Sequence, residues 1–269
     1  MNTTSKIFII LFSLIFTQVS CAQSESKTRN VVLPDVLTFR NVVARPHDST
    51  AFTQGLLFSD GKLYESTGLY GRSTLRIVEP ASGKVVRRVE IPRDFFAEGL
   101  ELVGDSLYLL TWRERRCFVF DSKTLKKSGE FTYDGEGWGI CFDGESLIMS
   151  DGTAILRYYD PKNFKLRKKV TVFDGDNVRS GQKIMMLNEL EFVHGEVWAN
   201  IWKTTKIVRI NPQTGKVIGW IDLKLIAESV TNFSNENVLN GIAFDEAASK
   251  VFITGKNWNV LFEMDLIVK

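Results

Sequence analysis

Gly55-Leu56-Leu57-Phe58-Ser59-Asp60-Gly61-Lys62-Leu63-Tyr64-Glu65-Ser66 reads as an aliphatic strand, a tight polar turn and a second strand. Apolar residues recur on both sides of an Asp-Gly pair, the pattern of an antiparallel hairpin. The same phrase returns down the chain. Gly99-Leu100-Glu101-Leu102 passes through Val103-Gly104-Asp105 to Leu107-Tyr108-Leu109-Leu110, and Gly139-Ile140-Cys141-Phe142 passes through Asp143-Gly144-Glu145 to Leu147-Ile148-Met149-Ser150. Glu189-Leu190-Glu191-Phe192 turns at His194-Gly195-Glu196 into Val197-Trp198-Ala199-Asn200, and Gly241-Ile242-Ala243-Phe244 precedes Val251-Phe252-Ile253-Thr254. Third strands follow at Leu75-Arg76-Ile77-Val78, Cys117-Phe118-Val119-Phe120, Ile155-Leu156-Arg157-Tyr158 and Ile207-Val208-Arg209-Ile210, with fourth strands such as residues 84–91 and 216–223.

Self-similarity at a period of about 40–50 residues is the mark of a β-propeller. The expectation is an all-β, five-bladed propeller of four-stranded antiparallel blades. The fifth unit runs out after three strands at residues 261–268, and residues 36–43 are predicted to supply its missing strand. Such closure removes an exposed sheet edge. Residues 223–230 offer at most one short helical turn. Blades that depend on their neighbours make one domain, 34–269.

Residues 1–22 read as a targeting segment and 23–33 as a linker. Lys6 precedes an apolar run, residues 7–16 broken by Ser13, too short to span a bilayer. Cleavage after Ala22 and a lipobox at Val19-Ser20-Cys21 are both compatible with the sequence. The lipobox is preferred, with Cys21 as a lipid anchor, so the mature protein is expected to be exported, periplasmic or membrane-anchored. Cys117 and Cys141 are either a disulfide or two buried thiols, since spacing alone does not bring Cα atoms into range.

Hydrophobic residues make up 44% of the 269 and charged residues 25%, with a formal charge of +2. That balance gives no footprint for nucleic acid. Two histidines, His47 and His194, make a His-rich zinc site improbable. Neither is well placed for a Ser-His-Asp triad, and no nucleophile elbow or phosphate loop occurs. A monomer is expected.

The repeat register states which residues are equivalent by rotation. The residues opening the first strands are Gln54, Glu98, Trp138, Asn188 and Asn240, which should ring one mouth of the channel. Four residues into the second strands lie Gly68, Trp112, Gly152, Trp202 and Lys256, a wider ring at the same end. A carboxylate, amides, indoles and an ammonium converging there describe a binding pocket better than a solvated channel. Trp198 and Trp220 fall inside strands and are expected to be core.

Ala51-Phe52-Thr53-Gln54-Gly55-Leu56, Phe96-Ala97-Glu98-Gly99-Leu100, Glu136-Gly137-Trp138-Gly139, Leu187-Asn188-Glu189-Leu190-Glu191 and Trp198-Ala199-Asn200-Ile201-Trp202 resemble the plant-type glutaminyl cyclases. The resemblance covers the chain from about residue 45 to its end. It implies a propeller that converts the N-terminal glutamine of peptides or proteins to pyroglutamate and ammonia. Glu98 would be the catalytic carboxylate, assisted by Lys256 and Asn188, with Phe52, Gln54, Trp112, Trp138 and Trp202 binding substrate. No cofactor or catalytic metal is implied, although a structural calcium in the channel is compatible with the family.

On physical grounds Glu98 would pass a proton from the attacking amine to the departing ammonia, with Lys256 favouring its ionised form. Asn188, Gln54 and the indole N–H groups would face the amide and developing oxyanion. Two alternatives are a calcium-dependent propeller hydrolase of the lactonase type, with Glu98, Asn188 and Asn240 as oxygen ligands, and a non-catalytic peptide-binding propeller.

Overall fold

The computed structural model describes residues 37–268; the proposed targeting segment and linker, including Cys21, lie outside them. Strand β1 (Leu37–Pro46) is followed by a first blade of β2 (Thr53–Ser59), β3 (Lys62–Thr67), β4 (Thr74–Val78) and β5 (Val85–Glu90). The second blade is β6 (Ala97–Val103), β7 (Ser106–Thr111), β8 (Arg116–Asp121) and β9 (Lys127–Thr132). The third is β10 (Ile140–Phe142), β11 (Leu147–Met149), β12 (Ile155–Tyr159) and β13 (Leu166–Thr171). A small hairpin, β14 (Phe173–Asp174) and β15 (Gln182–Lys183), separates it from the fourth blade of β16 (Leu187–Val193), β17 (Glu196–Ile201), β18 (Lys206–Ile210) and β19 (Val217–Asp222). Helix α1 (Lys224–Glu228) precedes the fifth blade of β20 (Leu239–Asp245), β21 (Lys250–Gly255) and β22 (Val260–Val268).

The last blade is completed as the sequence predicts. Strand β1 pairs antiparallel with β22, from Leu37 opposite Val268 to Pro46 opposite Val260, with a bulge between Arg40 and Val43. Arg45 donates to Glu263 at 3.0 Å, and Phe39 on β1 meets Trp198 of the fourth blade edge to face.

Alternation along the strands buries one apolar core between each pair of consecutive blades. Leu57, Leu75, Leu100 and Phe118 join the first to the second, and Leu56, Val78, Ala243 and Phe252 join the fifth to the first. The outermost strands carry charge instead, as in Arg87 and Arg88 on β5 or Lys168 and Lys169 on β13, which discourages edge pairing.

Trp198 is core, 1% exposed, and its indole donates to Glu196 within a buried Glu196–Arg209 pair. Trp220 is not core. It is 42% exposed on the outer strand β19 and donates to Asp174 of the small hairpin at 2.9 Å. The tryptophan buried in its stead is Trp258, under the turn that carries Lys256. Cys117 and Cys141 are separate buried thiols.

Candidate active site

The inner strands converge so closely at one end that side chains are excluded. A Cβ on Gly55 would lie 2.5 Å from the nitrogen of Leu100, and one on Gly139 would lie 2.1 Å from the carbonyl oxygen of Asn188. The residue preceding each glycine is thereby directed outward around the channel mouth. Hydroxyls from the preceding blade fix it there: Ser66 donates to the Glu98 carbonyl at 2.5 Å, and Ser150 to the Asn188 carbonyl at 2.6 Å.

Above this constriction sits a cavity of about 220 Å³. It is lined by every residue that the sequence assigns to the site: Phe52, Gln54, Glu98, Trp112, Trp138, Asn188, Trp202 and Lys256. The wide ring alternates glycine with tryptophan for a steric reason. A Cβ on Gly68 would lie 2.2 Å from the ring of Phe96, and one on Gly152 would lie 2.6 Å from the ring of Trp138. The glycines leave space for their neighbours' rings. Phe96 meets Trp112 at 5.5 Å between centroids and Trp138 meets Trp202 at 5.6 Å, which makes two aromatic walls.

Asn240 is the ring member that does not reach the cavity. It is fully buried, and its amide donates to the Thr53 carbonyl at 3.0 Å. Of the Glu98–Asn188–Asn240 oxygen set of the lactonase alternative, only Glu98 and Asn188 line the cavity. Phe96, Leu69, Lys203, Asn235 and Glu236 also line the cavity and were not assigned from the sequence. Phe96 follows from the aromatic packing, while Asn235 and Glu236 come from an irregular loop before β20 that carries no repeat signal.

Glu98 is 5% exposed and, among the described residues, receives no side-chain hydrogen bond. Burial pushes its carboxyl well above the usual carboxylate range; Lys256 opposes this, whereas Glu136 and Glu114 reinforce it. The expectation that Lys256 governs Glu98 thus has the right sign, but loss of water outweighs it. Lys256 is itself drawn down to about 8 by burial, against the pull of Glu98 and Glu236. Its ammonium lies 4.8 Å over the Phe52 ring.

The indole N–H groups are not all free, contrary to expectation. Those of Trp112 and Trp138 both donate to Glu136, at 2.8 and 3.0 Å. Asn188, Gln54 and Trp202 are the donors left toward the cavity.

Among the described residues no three acidic, histidine or cysteine side chains converge to hold an ion. Glu101, Glu189 and Glu191 stand on the inner strands, where the charge of Glu101 adds to burial in pushing the carboxyls of Glu189 and Glu191 up, and main-chain donors reach Glu189 and Glu101. Glu189 accepts from Leu56 at 3.4 Å and Ile242 at 2.9 Å, and Glu101 accepts from Leu102 at 2.5 Å. His47 is buried between Glu65 and the Trp258 carbonyl, and His194 occupies an exposed turn with φ of 47°.

Fold and site together define a class: a five-bladed propeller with an aromatic pocket at its channel mouth, lined by the buried charged groups Glu98 and Lys256. The chain belongs to the glutamine cyclotransferase family, whose model matches residues 11–266. It is 39% identical over 225 residues to a glutaminyl-peptide cyclotransferase of Arabidopsis thaliana, covering 82% of this chain and 69% of that protein. The crystal structure of Myxococcus xanthus glutaminyl cyclase matches with a TM-score of 0.78 and 36% identity, covering 87% of this chain and 97% of that one. The WD40 repeats of RRP9, 6% identical with a TM-score of 0.54, share the fold alone.

Proposed function

We propose that this chain is a glutaminyl-peptide cyclotransferase that closes N-terminal glutamine to pyroglutamate, with Glu98 as the proton carrier. The observation that carries the mechanism is a buried carboxylate without a protein donor, facing a residue-sized aromatic cavity. The substrate's α-amine attacks its own γ-carboxamide carbon. A C–N bond forms as the C–NH2 bond breaks, and one proton passes from the amine through Glu98 to the leaving nitrogen. Ring closure needs orientation more than added reactants. An α-amine has a pKa of about 7.7–8.0, so its neutral form is accessible near pH 8. A carboxyl raised toward the working pH accepts and returns a proton more effectively than an ordinary one, a role worth about 10²–10⁴-fold.

Lys256 and the carboxamides of Asn188 and Gln54 stabilise the charge that develops on the amide oxygen. The aromatic walls exclude the water that would otherwise compete to give glutamate. The residues supply this chemistry without a metal.

Ammonia release from a synthetic Gln-initiated peptide, with the matching mass loss, tests the reading. An N-acetylated control must not react because its amine is blocked. Conversion of the control, or none of either peptide, would overturn it.

Export and anchoring through Cys21 are proposed on the sequence alone, together with a monomeric state. Cys21→Ala should release the protein from membranes, and sedimentation should give a single-chain mass.

A further inference from the structure

We propose that Glu136 is a positioning residue that aims two walls of the pocket at once. A single carboxylate oxygen, Oε2, accepts the indole N–H of Trp112 at 2.8 Å and that of Trp138 at 3.0 Å. Trp112 follows β7 of the second blade, and Trp138 precedes β10 of the third. The clamp therefore spans the seam between blades, where a small blade rotation would otherwise change the distance between the two rings.

The clamp is itself held. The nitrogen of Gly137 donates to the Trp112 carbonyl at 3.0 Å, and Tyr133 ties the same loop to Thr111. A Cβ on Gly137 would lie 2.3 Å from the Tyr133 hydroxyl, so a larger residue there would displace the contact that holds the loop. Arg113 donates to the second oxygen of Glu136 at 3.3 Å, and its guanidinium lies 3.8 Å over the Trp112 ring. Trp112 is thus fixed both along its edge and across its face. Trp138 in turn sets Trp202, which it meets edge to face. Three of the pocket's aromatic walls trace to one carboxylate.

Glu136 also adds negative charge beside Glu98. The charged and titratable groups that act on Glu98 or feel it are Lys256, Glu136, Glu114, Tyr70 and Tyr133. Of these, Glu136 couples wall geometry to the proton carrier.

The inference rests on the cyclotransferase reading for its kinetic arm and not for its optical arm. Glu136→Ala and Glu136→Gln should be compared with wild type by near-ultraviolet circular dichroism, melting temperature, and kcat and KM against pH. Glu136→Ala loses the one acceptor that both indoles share. Its aromatic dichroism should change and kcat/KM should fall by about 10- to 100-fold, as misplaced binding walls do, with KM raised and melting little altered.

Glu136→Gln keeps a carbonyl acceptor but no charge. Its aromatic signal should stay near wild type, while the acidic limb of kcat moves to lower pH because a like charge beside Glu98 is gone. An unchanged aromatic signal in Glu136→Ala, or an acidic limb unmoved in Glu136→Gln, would overturn the proposal. If the wild-type chain releases no ammonia, the proposed function fails, and the dichroism of Glu136→Ala still decides the clamp.

Discussion

Lys256→Met removes an ammonium whose pKa burial draws down to about 8 from 10.5 and leaves an unbranched side chain of similar length. At about 1.4 kcal/mol per pH decade, that difference means holding the charged lysine in this site weakens the fold by about 3 kcal/mol. Loss of the contact with Phe52 offsets about 0.5–1 kcal/mol, leaving a net gain of about 2–3 kcal/mol at pH 7. Glu98 strands no charge, because without the cation it holds its proton more tightly.

The sign in pH follows from linkage. The folded value lies below the unfolded one, so between about 8 and 10.5 the unfolded chain binds more protons. Wild-type stability therefore rises with pH across that window. The advantage of methionine is full below about 8 and fades toward 10.5. Urea unfolding of both proteins at pH 7 and pH 10 reads this directly, and kcat should fall in the same variant. A destabilised Lys256→Met protein at pH 7, or an advantage of equal size at pH 10, would refute the reasoning.

Deleting residues 37–46 removes the partner of β22 and should lower the melting temperature sharply; unchanged thermal stability would mean the blade closes otherwise. Trp198→Ala should cost about 3–5 kcal/mol in chemical unfolding, as buried aromatics do, whereas exposed Trp220→Ala should cost less than about 1 kcal/mol. Exhaustive chelation should leave kcat unchanged, and activity lost on chelation and restored by added calcium would argue for a catalytic ion.

The propeller was legible because its repeats carry their own geometry. The glycines opening the first three blades, Gly55, Gly99 and Gly139, are the trace of backbones that approach within a Cβ of one another, and the residue before each inherits a known direction. That logic assembled Gln54, Glu98, Trp138 and Asn188 correctly around the mouth. It did not reveal that Asn240 turns toward Thr53, since one rotamer is not a property of the repeat.

Trp220 misled because tryptophan is read as core by its size, yet it lies on an outer strand and is tethered by a hairpin with almost no apolar signal. The partner of the indoles, Glu136, lies within a motif visible in the sequence. Its role still depends on a contact across two blades that spacing does not encode. The balance at Glu98 also rests on something spacing does not encode. The sequence names the neighbouring charge, but not the water that folding removes.

The central claim is that Glu98 moves the proton, and kcat of Glu98→Gln measured on a Gln-initiated peptide tests it most directly. The substitution preserves size and hydrogen-bonding capacity but cannot accept and return a proton. The predicted result is a fall in kcat of about 10²-fold or more with KM little changed. A kcat near that of wild type, with any loss confined to KM, would contradict the mechanism and reduce Glu98 to a grip on the substrate amine.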